Sequence, residues 1–306
     1  MATVKEIIQG FCYRVNIPAP SSIVGVSSPS EQQFLSLFRF IGDNLRNRPY
    51  QWPCLKRGYY FNTTTNITKY QLPGDFYRIL NSSQWDVTNQ WPLRGPISDF
   101  NYTTRDFAVV GLDSRKAYRL IGPTQYLYST SPYSQRSAGW FEIDPPGANN
   151  TDQLFLGYIS CNWVWPRDWV VNTAYSLGDI RSGNGTVYIC TTAGTSGSTR
   201  PSVTTGTETD GTVVWTVYRE PYLVAESNTK LNDADLCLFD DDMMIEGMRW
   251  AYFRAKKMDF QQERSDWEQS VRSAFARFNG PTRISTTGSE SEDDDWPSLA
   301  PGGWSV

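Results

Sequence analysis

The segment DDDMMIEGMRWAYFRAKK, residues 240–257, carries the pattern on which the predicted fold depends. Its three aspartates can cap a helix and compensate the helix dipole, and Met244, Ile245, Met248 and Ala251 recur at helical spacing. Carboxylates also suit Mg²⁺ or Ca²⁺. The spacing matches no metal loop, however, because the glycine and the twelfth-position glutamate of an EF-hand are absent. We therefore interpret the aspartates as the start of a helix.

Helical patterns occur at both ends of the chain. The predicted spans are 3–15, 30–47, 240–258 and 259–279, and each has one apolar stripe. Capping boxes are predicted at the first two, with Thr3 and Ser30 as caps. A helix with one apolar face must bury that face against another element. We therefore expect the terminal helices to pack together in one bundle.

The middle of the chain has short aromatic and β-branched runs bounded by turn residues, which are typical of strands. Candidate strands are 84–87, 107–110, 117–121, 139–143 and 153–160. The last is apolar on both faces, which predicts a strand covered on both sides. The predicted fold class is α+β: a helical bundle built from N- and C-terminal helices, a β-rich middle region and an inserted small all-β module.

The proposed insert, residues 163–218, is rich in Gly, Thr and Ser and contains four spaced aromatic residues, Trp169, Tyr175, Tyr188 and Trp215. Two interpretations of these rings stay open. They can form an exposed face for sugar binding, or they can form the core of the module. A module of about fifty residues without disulfides needs its large rings inside, which favours the core.

The remaining divisions follow from composition. Residues 1–162 and 219–281 form the predicted body, and residues 282–306 form an acidic, polar tail that is expected to be disordered alone. Trp296 and Trp304 lie in this tail. Because buried aromatic residues often anchor interfaces, we expect these two rings to dock on a partner.

Composition argues against catalysis. The chain of 306 residues contains no histidine, its five cysteines form no CxxC pair, and it has no phosphate-binding loop. We predict no catalytic residue, no cofactor and no metal site. Arg46, Arg48, Lys56 and Arg57 cluster after the second helix. A solvated helix end explains them, and contact with a phosphate backbone is the alternative.

The N-terminus lacks a secretory signal, and no apolar run reaches membrane-spanning length. These features predict a soluble protein that assembles where it is made, without contact to a membrane. The net charge of −4 argues against an open, high-affinity nucleic-acid binder.

Several segments resemble head-to-tail adaptor proteins, also called connector or tail tubular proteins, of short-tailed bacteriophages. The matching segments are Leu72-Pro73-Gly74-Asp75-Phe76-Tyr77-Arg78-Ile79, Gln84-Trp85-Asp86, Trp91-Pro92-Leu93-Arg94-Gly95-Pro96-Ile97-Ser98, Gly157-Tyr158-Ile159-Ser160 with Trp163, Asp240 to Trp250, and Ala255-Lys256-Lys257-Met258-Asp259-Phe260. The resemblance covers most of the chain outside 164–220 and the tail. The insert is the main departure from the adaptor pattern, and it looks like small modules of phage structural proteins and of carbohydrate-binding regions.

The resemblance implies a structural virion protein at the head-tail junction, assembled in the host cytoplasm. Such adaptors have a helical bundle with a β-rich part, and they form a homo-oligomeric ring, commonly of twelve copies, beneath the portal protein. The ring continues the DNA channel toward a downstream tail or nozzle protein, and DNA passes through without specific binding. Candidate residues at the portal or subunit interface are Arg249, Trp250, Trp296 and Trp304. The alternative function is a carbohydrate-binding tail or baseplate component that acts through the insert.

Overall fold

The computed structural model of the chain describes residues 1–24, 28–80, 82–107, 115–122, 139–148, 150–219, 222 and 231–279. Within these residues there are five α-helices: α1 (Val4–Arg14), α2 (Pro29–Asn47), α3 (Asp99–Phe107), α4 (Asp241–Ala255) and α5 (Gln261–Asn279). The strands of the body are β1 (Lys56–Asn62), β2 (Lys69–Gln71), β3 (Phe76–Ile79), β4 (Trp85–Asp86), β5 (Trp91–Pro92), β6 (Ala117–Ile121), β7 (Trp140–Asp144) and β8 (Gln153–Ser160). The strands that follow are β9 (Val164–Trp165), β10 (Ala174–Tyr175), β11 (Ile180–Gly183), β12 (Thr186–Thr192), β13 (Gly194–Thr195), β14 (Thr207–Asp210), β15 (Val213–Val217) and β16 (Leu236–Cys237).

The predicted fold class is wrong. The described residues contain sixteen strands in five antiparallel sheets and only five helices, so the architecture is mostly β rather than a helical bundle with a β-rich middle. The prediction of a bundle assigns the apolar stripes of the helices to contacts among helices alone. The same cluster of buried side chains also includes Leu55, Ile159, Trp163 and Phe239, which lie outside the helices. An apolar stripe requires a partner, but it does not specify that the partner is helical.

The terminal helices contact one another within this shared core. Helix α4 packs against α1, α2 and α5. Thr3 caps α1 through a capping box, and Asp240 caps α4 by accepting a hydrogen bond from the Met243 amide at 3.2 Å. The predicted cap at Ser30 is wrong, because Ser30 lies inside α2, which begins at Pro29 with Ser28 as its N-cap. Proline fits the first turn, where its missing N–H would be unpaired anyway.

The main sheet is organised around β8. This strand pairs with β1, β3 and β4, and its last five residues are all buried, which confirms a strand covered on both sides. Strands β2, β7 and β6 form a separate three-stranded sheet. Of the predicted strand 107–110, Phe107 ends α3 instead, and 108–110 lie outside the described residues.

Trp163 joins the helices to the end of β8. Its ring is fully buried and packs against Phe38, with ring centroids 5.0 Å apart. The ring lies so close to α2 that a Cβ atom at Gly42 would come within 2.2 Å of it. Its indole N–H donates to Asp43 Oδ1 at 3.2 Å, and its carbonyl accepts from the Leu238 amide at 3.0 Å. One side chain therefore links the main sheet, α2 and the segment that leads into α4.

The region 163–218 has a core of its own, built from Trp169, Tyr175, Tyr188, Cys190, Val213 and Trp215. Among the described residues, its strands pair with each other, except that β9 pairs with β16 of the body. One face of the insert packs against the body, because Ile180 is buried in the core that also contains the helices. The insert is therefore attached to the body by packing as well as by its two connections.

Met248 gives a direct test of the shared core, because it is fully buried on α4. Met248→Asp should lower the free energy of unfolding by about 3 kcal/mol or more, since it places an unpaired charge inside the core. The matched control is Ala255→Asp, which adds the same charge at an exposed position of the same helix. It should cost no more than about 1 kcal/mol. Equal denaturant midpoints for the two variants would contradict the burial of Met248.

Candidate functional site

The candidate interface residues on α4 are engaged within the chain. Arg249 forms an ion pair with Glu263 at 3.2 Å. Trp250 is only 3% exposed and packs beside Trp267 and Phe40, with centroid distances of 5.4 and 5.9 Å. Phe40 is 44% exposed, so the accessible apolar side chain at this position is Phe40 rather than Trp250. Trp296 and Trp304 lie outside the described residues, and the interface role of all four residues remains a prediction.

The four aromatic residues of the insert point inward. Trp169, Tyr175, Tyr188 and Trp215 are each at most 7% exposed. Buried Asp210 fixes two of them, because its Oδ2 accepts from the indole N–H groups of Trp169 and Trp215 at 2.7 and 3.3 Å. These rings thus form core, and they do not present a flat surface to a sugar.

The predicted basic cluster after α2 divides into two parts. Arg46 forms an ion pair with Asp43, and Arg48 forms a bidentate pair with Glu268 at 2.7 Å. Lys56 and Arg57 differ from them. Within the described part of the chain, neither has a carboxylate within ion-pairing distance, and both line a cavity of about 390 Å³. Arg46 and Arg48 are thus paired with acidic side chains rather than simply solvated, whereas Lys56 and Arg57 belong to a different surface.

We call this cavity the cationic groove. It lies between β1 and β8 on one side and β12, β15 and the loop before β14 on the other. Its charged and polar lining is Lys56, Arg57, Arg219, Asp75, Asn162, Thr186, Thr204 and Thr205, and its aromatic lining is Tyr60, Tyr158, Trp165 and Tyr218. The groove is thus formed jointly by the main sheet and the insert.

The arginines of the cationic groove are held by backbone carbonyls and aromatic rings. Arg57 donates to the carbonyls of Cys54 and Lys56 at 3.0 and 2.8 Å, and its guanidinium lies 4.8 Å from the centre of the Trp165 ring. Arg219 donates to the Thr204 carbonyl at 3.0 Å and lies 5.2 Å from the centre of the Tyr59 ring. These contacts orient both cations but do not neutralise them.

Asp75 forms the buried end of the groove. Its carboxylate accepts from Tyr158 OH at 2.8 Å and from Ser160 Oγ at 2.7 Å, and its backbone amide donates to the Arg219 carbonyl at 2.7 Å. Burial raises the pKa of Asp75, against the opposing effect of these hydrogen bonds and of Arg219 and Arg57. Burial also lowers the pKa of Arg57, although Tyr158 and Asp75 oppose the shift. Desolvation is therefore the largest effect on both groups.

Only part of this site could be predicted from the sequence. Lys56 and Arg57 stood out as a basic pair directly before an aromatic strand, whereas Arg219, Trp165 and Tyr60 were missed. No local motif joins these residues, because Arg219 follows the insert and Arg57 precedes the main sheet. Arg57 and Arg219 come together because the chain returns from the insert to the main sheet, where the Asp75 amide donates a hydrogen bond to the Arg219 carbonyl.

In the part of the chain that the structure describes, the carboxylates and thiols show no arrangement typical of a metal site. Among the described residues, no group of three His, Cys, Asp or Glu side chains is placed to hold an ion. Asp240, Asp241 and Asp242 contact the Met243 amide, the Ala2 amide and Arg14, respectively. The interpretation of Asp240 as a helix cap is confirmed.

Comparison with known proteins adds no identification. No protein-family model matches the chain, and a search of curated proteins finds no match. Across the described residues, no helix combines the length and the apolar character needed to cross a bilayer.

Asp75 can be tested by two substitutions. Asp75→Ala should lower the free energy of unfolding by about 2–4 kcal/mol, because it leaves the buried hydroxyls of Tyr158 and Ser160 without their acceptor. Asp75→Asn keeps the shape and one acceptor, so it should cost less than about 1.5 kcal/mol. Chemical denaturation of both variants measures the difference, and equal losses would contradict the role of the hydrogen bonds.

The raised pKa of Asp75 also sets the sign of a pH effect. The ionised carboxylate reduces stability at neutral pH, and this loss disappears as the pH falls through the folded-state pKa toward the unfolded value of about 4. The free energy of unfolding of the natural protein, relative to that of Asp75→Asn, should therefore rise on acidification from pH 7. A flat or falling difference would show that Asp75 is not desolvated.

Proposed function

We propose that this protein is a structural subunit of a bacteriophage virion, a head-to-tail adaptor that assembles as a ring beneath the portal and continues the DNA channel toward the tail. The observation that carries the proposal is the convergence, in one body, of the segments that resemble adaptors. The Leu72–Ile79 segment meets the Gly157–Ser160 segment through the buried hydrogen bonds of Asp75. Trp163 then connects the second segment to the helices.

The segments Gln84–Asp86 and Trp91–Ser98 join the same body. Trp85 pairs with Phe155 of β8 and with Pro92 of β5. Gln84 accepts a hydrogen bond from Tyr118 OH at 2.9 Å, and its amide nitrogen donates to the Gly157 carbonyl at 3.3 Å. Residues that are scattered along the sequence thus form one connected framework. A resemblance confined to unrelated surface segments would lack this coherence.

The state of the thiols supports a structural role over nucleophilic catalysis. Burial raises the pKa of Cys12 and Cys54 to about 11 and that of Cys161 to about 12. Burial also raises the pKa of Cys190 and Cys237. A thiol acts as a nucleophile in its thiolate form, and all five environments disfavour that form.

The carbohydrate-binding alternative has less support. It rested on Trp169, Tyr175, Tyr188 and Trp215 as a binding face, and all four rings are buried in the core of the insert. Stacking on a sugar requires an accessible ring face. We therefore retain the adaptor as the proposed function.

A ring requires contacts between copies, and the exposed apolar residues near α4 offer a place for them. Phe40 is 44% exposed and lies against Trp250, and Met258, just beyond the end of α4, is 53% exposed. Single exposed apolar residues are common on protein surfaces. Phe40 is distinguished by its contact with Trp250, one of the candidate interface residues.

The proposed function predicts that the purified full-length protein forms closed rings, either alone or on isolated portal rings of the same virus. Native mass spectrometry and electron microscopy measure the copy number and show the channel. A protein that stays monomeric and does not bind the portal under any of these conditions would contradict the adaptor role.

The location of the contact is tested separately by Phe40→Glu, with Ile67→Glu as a control of equal exposure, 44%, in a turn of the body. Phe40→Glu should reduce ring formation or portal binding, because it places a charge in an apolar contact. Ile67→Glu should leave both unchanged. Equal assembly by the two variants would exclude the Phe40 surface while leaving the ring itself intact.

A further inference from the structure

The cationic groove contains positive charges without matching negative charges. Lys56, Arg57 and Arg219 all line it, and within the described residues none of them forms an ion pair within 4.0 Å. The nearby carboxylate, Asp75, is already hydrogen bonded to Tyr158 and Ser160. The groove therefore has three cations and a single carboxylate that is committed to the sheet.

This arrangement favours an anionic occupant. Taking a cation out of water is costly unless it is paired, and Arg57 is partly buried under the Trp165 ring. A carboxylate or phosphate that enters the groove would replace the lost hydration with charge-assisted hydrogen bonds. The hydroxyl groups of Thr186, Thr204 and Thr205 can supply further donors.

The groove also offers a place for an aromatic side chain. Tyr60 lines it and is 52% exposed, and it already contacts Phe155 at a centroid distance of 4.8 Å. Exposed aromatic faces favour offset or edge contacts with other rings. The chemistry of the groove thus matches a chain segment that combines several carboxylates with one aromatic residue.

We propose that the segment ESEDDDW, residues 290–296, docks in the cationic groove of its own chain. It carries five carboxylates followed by Trp296. The groove volume of about 390 Å³ admits a few side chains rather than the whole segment. The run Asp293-Asp294-Asp295 faces the cations in this arrangement, and Trp296 lies against Tyr60.

The end of α5 places this segment within reach. Phe275, in the last turns of α5, stacks on Tyr50 at a centroid distance of 4.2 Å and contacts Trp52 at 5.8 Å. Trp52 precedes Lys56 by four residues, so the two are at most about 14 Å apart along the chain. The ten residues 280–289 can span about 33 Å when extended. That length is sufficient to bring Glu290 to the groove without a second copy.

Docking within one chain also has a thermodynamic advantage. A tethered segment has an effective concentration in the millimolar range, so weak individual ion pairs suffice for occupancy. Because these pairs are close to the surface, salt should weaken them. Docking of the segment takes place in the free subunit and does not depend on the formation of a ring.

Carbodiimide cross-linking of the purified full-length monomer tests the proposal, because it joins a lysine to a carboxylate in direct contact. Mass spectrometry should find Lys56 joined to Asp293, Asp294 or Asp295. Lys257, exposed after the end of α4, is the internal reference. Cross-links from the tail to Lys56 should exceed those to Lys257 by at least about tenfold, which corresponds to about 1.4 kcal/mol of preference. The excess should fall at high salt.

Substitutions in the groove and in the tail test whether the groove is responsible for the cross-links to Lys56. Arg219→Gln should reduce the Lys56 cross-links, whereas the surface control Lys256→Gln should not, and thermal melting checks that both remain folded. A variant with Asp293→Asn, Asp294→Asn and Asp295→Asn tests whether the carboxylates hold the segment in the groove, because it removes three negative charges without changing the length of the tail. In that variant, the remaining cross-links from Glu290 and Glu292 to Lys56 should also decrease, because the segment is no longer held.

Three results would overturn the proposal. The first is an even distribution of tail cross-links over exposed lysines. The second is cross-linking only between copies in a mixture of ¹⁴N- and ¹⁵N-labelled protein, which would show exchange between chains. The third is that inorganic phosphate or duplex DNA reduces the cross-linking of Lys56 equally in the natural protein and in the triple Asn variant. That result would assign the groove to an external phosphate ligand.

Discussion

The contact between Trp163 and Gly42 holds helix α2 against the end of the main sheet. The indole ring lies so close to α2 that only glycine fits opposite it. This fixes the distance between α2 and the end of β8, and hence the position of the helices relative to the main sheet. Trp163 is also the first residue of the predicted insert. Its carbonyl accepts a hydrogen bond from the Leu238 amide, in the segment before α4. Interiors are close-packed, so a shift of this ring would disturb the sheet, the helices and the base of the insert together.

Buried carboxylates complete the connections that packing alone does not define. Asp75, which lies just before β3, binds Tyr158 and Ser160 of β8 through its carboxylate and the carbonyl of Arg219, which follows the insert, through its amide. Asp235 accepts hydrogen bonds from Tyr222 OH at 2.7 Å and from the Arg167 amide at 3.2 Å, and burial raises its pKa. These acids therefore act at junctions between distant parts of the chain. The cationic groove lies at one such junction, which explains why its residues come from both the main sheet and the insert.

The sequence predicted local elements better than their arrangement. The spans of α1, α2, α4 and α5 were close, because each helix has a 3.6-residue stripe, and α1 and α4 also begin at recognisable caps. The fold class failed because the strands are numerous and many are only two residues long, too short for a visible alternation. Helix α3 was not predicted, because it is only nine residues long and most of its residues are Asp, Asn, Thr, Tyr or Phe, which have low helix propensity. In the groove, Lys56 and Arg57 were visible as a pair, but Arg219 and Trp165 meet them only through long-range pairing. Basic residues that are distant in the sequence, such as Arg57 and Arg219, form this site only in the folded chain.

A double-mutant cycle measures whether the contact between Trp163 and Gly42 holds the helices against the main sheet. The cycle compares the free energies of unfolding of Gly42→Ala, Trp163→Leu and the combined variant. In an ordinary helix, Gly42→Ala would stabilise the protein by about 1 kcal/mol. Here we expect it to destabilise the natural protein by about 1–3 kcal/mol through overpacking, and to become neutral or stabilising when Trp163→Leu has removed the ring. The predicted coupling energy is at least about 1 kcal/mol. Additive effects, with Gly42→Ala stabilising in both backgrounds, would contradict the account.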